Sequence, residues 1–161
     1  MSELIINPSR ACAVSGHRVL GKNLKKEQVK ELINKIIEKE FDTFLVGMAL
    51  GFDTLCFNIL EEIRKSKPIN IIACIPCVEQ PEKFNEKQRE EYFRMLDSAD
   101  QKIYVSKNYS SKCMQKRNEF MVDNSSILLA YCIREYGGTA NTIKYAIKKD
   151  KPIIKVGEKY E

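Results

Sequence analysis

Four short stretches of this 161-residue chain hold residues that can meet an anion, three of them beside glycine. Ser15-Gly16-His17-Arg18 holds the only histidine in the chain. Its glycine lets backbone approach a ligand, and its arginine offers a planar fork to phosphate. In Gly47-Met48-Ala49-Leu50-Gly51-Phe52-Asp53-Thr54, two glycines precede an apolar helical pattern. The free N–H groups of a helix start favour an anion there, and Asp53 or Thr54 is also suited to be a plain N-cap. Arg117-Asn118 lies one helical turn from Met114 and from Met121, so Arg117 should project from a partly buried face. An arginine so held has either a carboxylate partner, for which Asp123 is a candidate, or an anionic ligand. Gly137-Gly138-Thr139 is the best phosphate cradle, combining two glycines, a hydroxyl and a helix start. Its plainer reading is a glycine turn with Thr139 as N-cap.

Other chemistries fit less well. No Gly-Lys-Ser/Thr follows the glycines of the second stretch, so it is not a P-loop, and GxGxxG is absent. Cys74-Ile75-Pro76-Cys77 has CxxC spacing but no second ligand pair, so no metal is expected. It closes a strand rather than opening a helix, as a redox CxxC would, and a redox role for Cys74 and Cys77 stays open.

The elements that must position these residues alternate along the chain. Apolar runs at 11–14, 41–46, 69–75, 103–105, 127–132 and 152–156 read as six strands. Between them, residues at helical spacing mark five helices: Val29 to Ile37, Leu55 to Ile63, Tyr92 to Ala99, Met114 to Met121, and Ile143 to Ile147. Strands without polar alternation are buried on both faces, as in a parallel sheet. The fold class is therefore α/β: a Rossmann-like, doubly wound, mainly parallel sheet of about six strands with helices on both faces. Right-handed crossovers gather the strand-to-helix loops at the carboxyl edge, where ligands bind.

Length and composition agree with this. The chain is one domain's length, read as a single domain over 1–161 with residues 1–10 as a loose N-terminal segment. Twenty-seven Lys and Arg against 22 Asp and Glu give a net charge of +5, scattered without a block of like charges. That permits anionic ligands without indicating a nucleic-acid binder. No apolar run is long enough to span a membrane and no signal peptide is read, so a cytoplasmic location is expected.

Taken together, the four stretches resemble the SLOG superfamily, the Rossmann-like group named after the DprA/Smf and LOG proteins. Within it they are most similar to the small YpsA/YoqJ-like branch of bacterial and phage proteins. Ser15-Gly16-His17-Arg18, Gly47-x3-Gly51-x-Asp53, Arg117-Asn118-x2-Met121-Val122-Asp123 and Gly137-Gly138-Thr139 carry the resemblance, which spans residues 11–149. It implies binding of nucleotides or nucleotide-derived molecules at the carboxyl edge, and pairing of protomers through helices, so a homo-oligomer is among the expected assemblies. Some LOG members cleave the base from nucleoside monophosphates, using a helix arginine and a PGGxGT loop followed three residues on by glutamate. Here Arg117 matches the arginine, Tyr136 replaces the proline, and Thr142 stands where the glutamate would be. Threonine cannot act as acid or base at neutral pH.

The favoured function is sensor-like binding of a nucleotide or nucleotide derivative, with no cofactor. His17, Arg18 and Arg117 would meet phosphate, Gly51, Gly138 and Thr139 would donate, and Asp53 or Asp123 would accept from ribose. The first alternative is a LOG-like nucleotide hydrolase, with Asp53, His17 and Arg117 as candidate catalytic groups and Glu79 or Glu82 as further carboxylates. The second, given little weight, is a DprA-like binder of single-stranded nucleic acid. No membrane partner is expected.

Overall fold

A computed structural model describes residues 6–157. Six strands and five α-helices alternate: β1 (Ala11–Gly16), α1 (Lys26–Glu38), β2 (Thr43–Val46), α2 (Phe52–Arg64), β3 (Asn70–Ile75), α3 (Glu86–Ser98), β4 (Gln101–Tyr104), α4 (Cys113–Asp123), β5 (Ile127–Tyr131), α5 (Gly138–Lys148) and β6 (Ile153–Lys155). Short 3-10 turns cover Pro8–Arg10 and Gln80–Lys83. Every strand pair is parallel, in the order β4-β3-β2-β1-β5-β6. The chain steps outward from β1 to β4, then returns to the other side of β1 for β5 and β6. The order therefore reverses between β1 and β5, where Val14 pairs Leu129 and Ser15 pairs Ala130.

Two cores follow from the period-2 alternation of the strands. Cys12, Val14, Phe44, Val46, Ile71 and Ala73 face α1, α2 and α3 and pack with Val29, Phe57, Tyr92 and Met95. Ala13, Leu45, Ile72, Cys74, Leu128 and Ala130 face α4 and α5 and pack with Met121, Val122, Ile143 and Ala146. Both faces of the central strands are covered, which is why their sequences lack polar alternation. The expected α/β, doubly wound parallel sheet is the fold observed.

Three local expectations change. The edge strand is Gln101–Tyr104 rather than 103–105, and it is mostly exposed. One open side leaves room for polar residues there, so the apolar pattern misplaces it. Of the N-terminal segment expected to be loose, residues 1–5 lie outside the described residues, whereas 7–10 are tied down. Asn7 caps the first turn, Arg10 pairs with Asp42 at 2.9 Å, and Ser126 Oγ donates to the Pro8 carbonyl at 2.6 Å. Neither glycine-led helix is capped by a side chain. The N-cap of α2 is Gly51 and that of α5 is Gly137, so Asp53, Thr54 and Thr139 are not the caps. Each glycine sits at positive φ, +85° and +99°, a region that glycine enters without steric cost.

Candidate functional site

The carboxyl ends of β1, β2, β3 and β5 open onto one cavity of about 710 Å3 at the switch in strand order. This is where doubly wound sheets bind ligands. Close main-chain packing builds its walls. A Cβ at Gly51 would overlap the Arg18 carbonyl, and the next residue, Phe52, donates its N–H to the His17 carbonyl at 3.0 Å. The first and second loops are thereby stitched together. Gly16 lies under the Phe52 ring, which stacks on Tyr131 with centroids 5.6 Å apart.

His17 does not serve as a phosphate-binding cation or a free acid-base group. It is buried, and its Nε2 accepts the Ile133 N–H at 2.8 Å, which requires a neutral ring with that nitrogen unprotonated. Its ring edge meets Tyr131. Burial lowers its pKa, and the charge of Arg134 lowers it further. The imidazole is a strut between the β1 and β5 loops.

Arg117 is buried as expected, but Asp123 is not its carboxylate partner. Its Nη1 donates to two main-chain carbonyls, those of Gly47 and Cys74 (3.4 Å), its Nε donates to Asn118 Oδ1 at 2.8 Å, and its Nη2 meets the Met114 sulfur at 3.9 Å. A Cβ at Gly47 would lie 2.8 Å from the guanidinium carbon, so the glycine makes the room. Asp53 supplies the compensating charge without a direct hydrogen bond. Its Oδ2 accepts the Ala49 N–H at 3.1 Å, and burial pushes its pKa up to about 6 against the opposing pull of Arg117. Burial likewise pulls the Arg117 pKa down, and Asp53 opposes that shift most.

Asp123 falls outside the site. It ends α4, is exposed, and accepts the Tyr145 hydroxyl at 2.8 and 3.1 Å. Two turns of helix separate it from Arg117's end of α4, so it can neither pair with Arg117 nor meet a ligand in the cavity. The remaining expected residues divide between lining and support. Ser15, Gly16, His17, Arg18, Asp53, Arg117, Asn118, Gly138 and Thr139 line the cavity, whereas Gly47, Gly51 and Gly137 shape the loops behind it.

One end of the cavity is an uncapped helix start beside a guanidinium. The first turn of α5 has no side-chain cap and no acidic residue, and a Cβ on Gly138 would meet nothing within 4 Å. Its N–H groups and dipole therefore face open space beside Arg134, which also lines the cavity and stacks over Tyr136. The other end carries Glu79, Gln80 and Tyr109 beside Asp53 and Arg117. Arg134, Gln80 and Tyr109 are not among the residues expected from sequence. Arg134 stands only three residues before Gly137, so a wider view of that loop would have found it. Gln80 and Tyr109 carry no local signal at all. Thr142, in the place of the LOG glutamate, donates to the Gly138 carbonyl at 2.8 Å and is fully buried.

The family model described as YspA SLOG family matches residues 19–155. The chain belongs to the YspA SLOG family. This bears out the resemblance drawn from the four short stretches. Among its relatives, the SPbeta prophage-derived protein YoqJ of Bacillus subtilis (strain 168) is 32% identical over 137 residues, covering 76% of this chain and 80% of that protein. A UPF0398 protein of Bacillus thuringiensis (strain Al Hakam) is 25% identical over 127 residues, covering 77% of this chain and 69% of that protein. Among solved structures, DNA processing protein A (DprA) of Streptococcus pneumoniae shares the fold with a TM-score of 0.67 at 15% identity. The match covers 91% of this chain but only 50% of that one, so this chain spans about half its length. DprA of Helicobacter pylori gives a TM-score of 0.67 at 16% identity, covering 96% and 68%. For this member of the YspA SLOG family, no described helix is long and apolar enough to cross a membrane.

Proposed function

We propose that this YspA SLOG family protein binds a nucleotide or nucleotide derivative in the cavity at the β1–β5 switch. The observation that carries the reading is the uncapped start of α5, open to the cavity at Gly138 and Thr139 and flanked by Arg134. That combination of free N–H groups, dipole and guanidinium suits phosphate. Tyr109 lines the same cavity and is 63% exposed, so a base has a ring to stack on. Arg117 braces the pocket through Nη1, which is committed to the Gly47 and Cys74 carbonyls.

Thermal unfolding against nucleoside mono- and diphosphates, NAD and ADP-ribose, with Arg134→Ala beside the wild type, tests this. A ligand at one hundred times its Kd adds about 2.7 kcal/mol to stability. The expected result is a shift with a phosphate-bearing compound that shrinks in Arg134→Ala, the compound being recovered intact. Conversion of the compound that Asp53→Asn abolishes would identify the hydrolase reading instead, since Asp53 is the carboxyl here with a pKa near neutrality.

A second reading rests on the fold likeness to DprA, because the Helicobacter pylori protein is described by its single-stranded DNA binding mode. Nucleic acid therefore gains weight over the sequence-based expectation. Single-strand binding would lose affinity steeply with rising salt. A mononucleotide bound by one phosphate cradle would depend on salt far less.

A further inference from the structure

Among the described residues, three buried side-chain atoms lack any hydrogen-bond partner: Asp53 Oδ1, Glu79 Oε1 and Gln80 Oε1. All three belong to residues that line the one cavity at the sheet edge. Asp53 is 5% exposed and Gln80 8%. Buried polar groups are nearly always satisfied, and an orphaned acceptor is costly. Three such atoms at one place point to something absent that supplies donors.

The three side chains are held alike. The main chain fixes one atom of each and leaves one oxygen over. Ala49 N–H donates to Asp53 Oδ2 at 3.1 Å, and Tyr109 N–H donates to Glu79 Oε2 at 3.1 Å. Gln80 Nε2 donates to the Gly47 carbonyl at 3.3 Å. That last bond also fixes the amide's orientation, because a flipped amide would set oxygen against a carbonyl oxygen. Gln80, Arg117 and Asp53 all anchor on the Gly47–Ala49 segment, so they form one cluster, with Glu79 next to Gln80 in sequence. Arg117 commits Nε and Nη1 to Asn118, Gly47 and Cys74, and its Nη2 meets the Met114 sulfur at 3.9 Å rather than any of the three oxygens.

Resting on the proposed nucleotide reading, we infer that Asp53, Glu79 and Gln80 form a donor-recognising subsite, opposite in character to the anion end at Arg134 and Gly138. Its three oxygens select ligands that present neighbouring N–H or O–H donors. In a nucleotide these come from two sources, the amino edge of the base and the ribose 2′-hydroxyl. Because the acceptors are pinned before the ligand arrives, little ordering cost is left for binding. A ligand lacking the matching donor leaves a buried acceptor unpaired, which is the strongest form of rejection a small site has.

The test is calorimetric titration of the full chain with AMP, GMP and CMP, then with the 2′-deoxy and the deaminated counterparts of whichever binds most tightly. These are repeated on Glu79→Gln and on Asp53→Asn. The expected result is that one counterpart binds the wild type about tenfold or more weakly, and that this gap narrows in at least one variant. Loss with the 2′-deoxy compound assigns the oxygens to ribose, and loss with the deaminated one assigns them to the base. Glu79 is only half-buried, so Glu79→Gln keeps the question open to test if Asp53→Asn does not fold. Equal binding of parent and counterparts overturns the subsite while leaving the nucleotide reading intact, with water serving the three oxygens. A gap unchanged in every folded variant also overturns it. No binding of any of the three nucleotides overturns the subsite, and no binding of ADP-ribose either overturns the nucleotide reading with it.

Discussion

The two ends of the cavity are made in different ways. The anion end is a short piece of chain: Arg134, a glycine turn and the first residues of α5, exposed at Arg134 and Gly138 and buried at Thr139 and Ala140. The acceptor end is assembled from distant segments. Arg117 reaches back 70 residues to Gly47, Gln80 reaches 33, and Glu79 is held by Tyr109 from 30 residues on. The first end can be altered without touching the core. The second is part of the core, because its charges are buried and hold three loops together. Ligand binding and stability should therefore separate at one end and be inseparable at the other.

The largest expected effect is at the acceptor end. Arg117→Met removes a buried guanidinium, takes its hydrogen bonds from the Gly47 and Cys74 carbonyls and leaves the Asp53 carboxylate uncompensated. A loss of roughly 3–5 kcal/mol in urea unfolding is expected. A loss under 1 kcal/mol would erase the contrast. Next comes Gly51→Ala, which forces a side chain into φ +85° and against the Arg18 carbonyl. About 2–3 kcal/mol should go, read in the same way.

A third effect concerns pH. The folded pKa of Asp53 is about 6 against an ordinary 3.8, so the folded state binds the proton more tightly than the unfolded chain. That contribution is complete below pH 3.8, is lost as pH rises through 6, and is flat beyond. Its full span is about 3 kcal/mol at most. Unfolding at pH 4, 5, 6 and 7 should show wild type losing stability relative to Asp53→Asn across this window. A constant difference would mean that the carboxyl is not buried in its acid form. The smallest stability change belongs to the anion end. Arg134→Ala should shift unfolding by no more than about 0.5 kcal/mol while weakening phosphate binding several-fold. A large destabilisation would sharpen the comparison differently, making His17 and Arg134 parts of the frame together.

Sequence showed the anion end better than the acceptor end for the same physical reason. Gly137-Gly138-Thr139 is a local signal, since turn, glycine and helix start are contiguous. The strands were equally legible, because those of the sheet interior are mostly apolar runs, and the edge strand β4 was shifted, its exposed residues lacking that pattern. Asp123 and His17 were misread. A carboxylate and an imidazole look alike in sequence whether they face a cavity, a tyrosine hydroxyl or a backbone N–H. The burial of Arg117 followed from its neighbours on the helix, Met114 and Met121. Its partners did not, because carbonyls carry no residue identity. Gln80 and Tyr109 became visible only when the β3 and β4 loops met.

The most direct test is a 15N–1H NMR titration of the wild-type protein with ADP-ribose. Chemical-shift changes are expected first at the Gly138 and Thr139 amides, with the Tyr109 amide following as the ligand spans the cavity. Saturation without movement of those amides, or changes confined to the neighbouring groove at Val19 and Met95, would contradict phosphate binding at the start of α5.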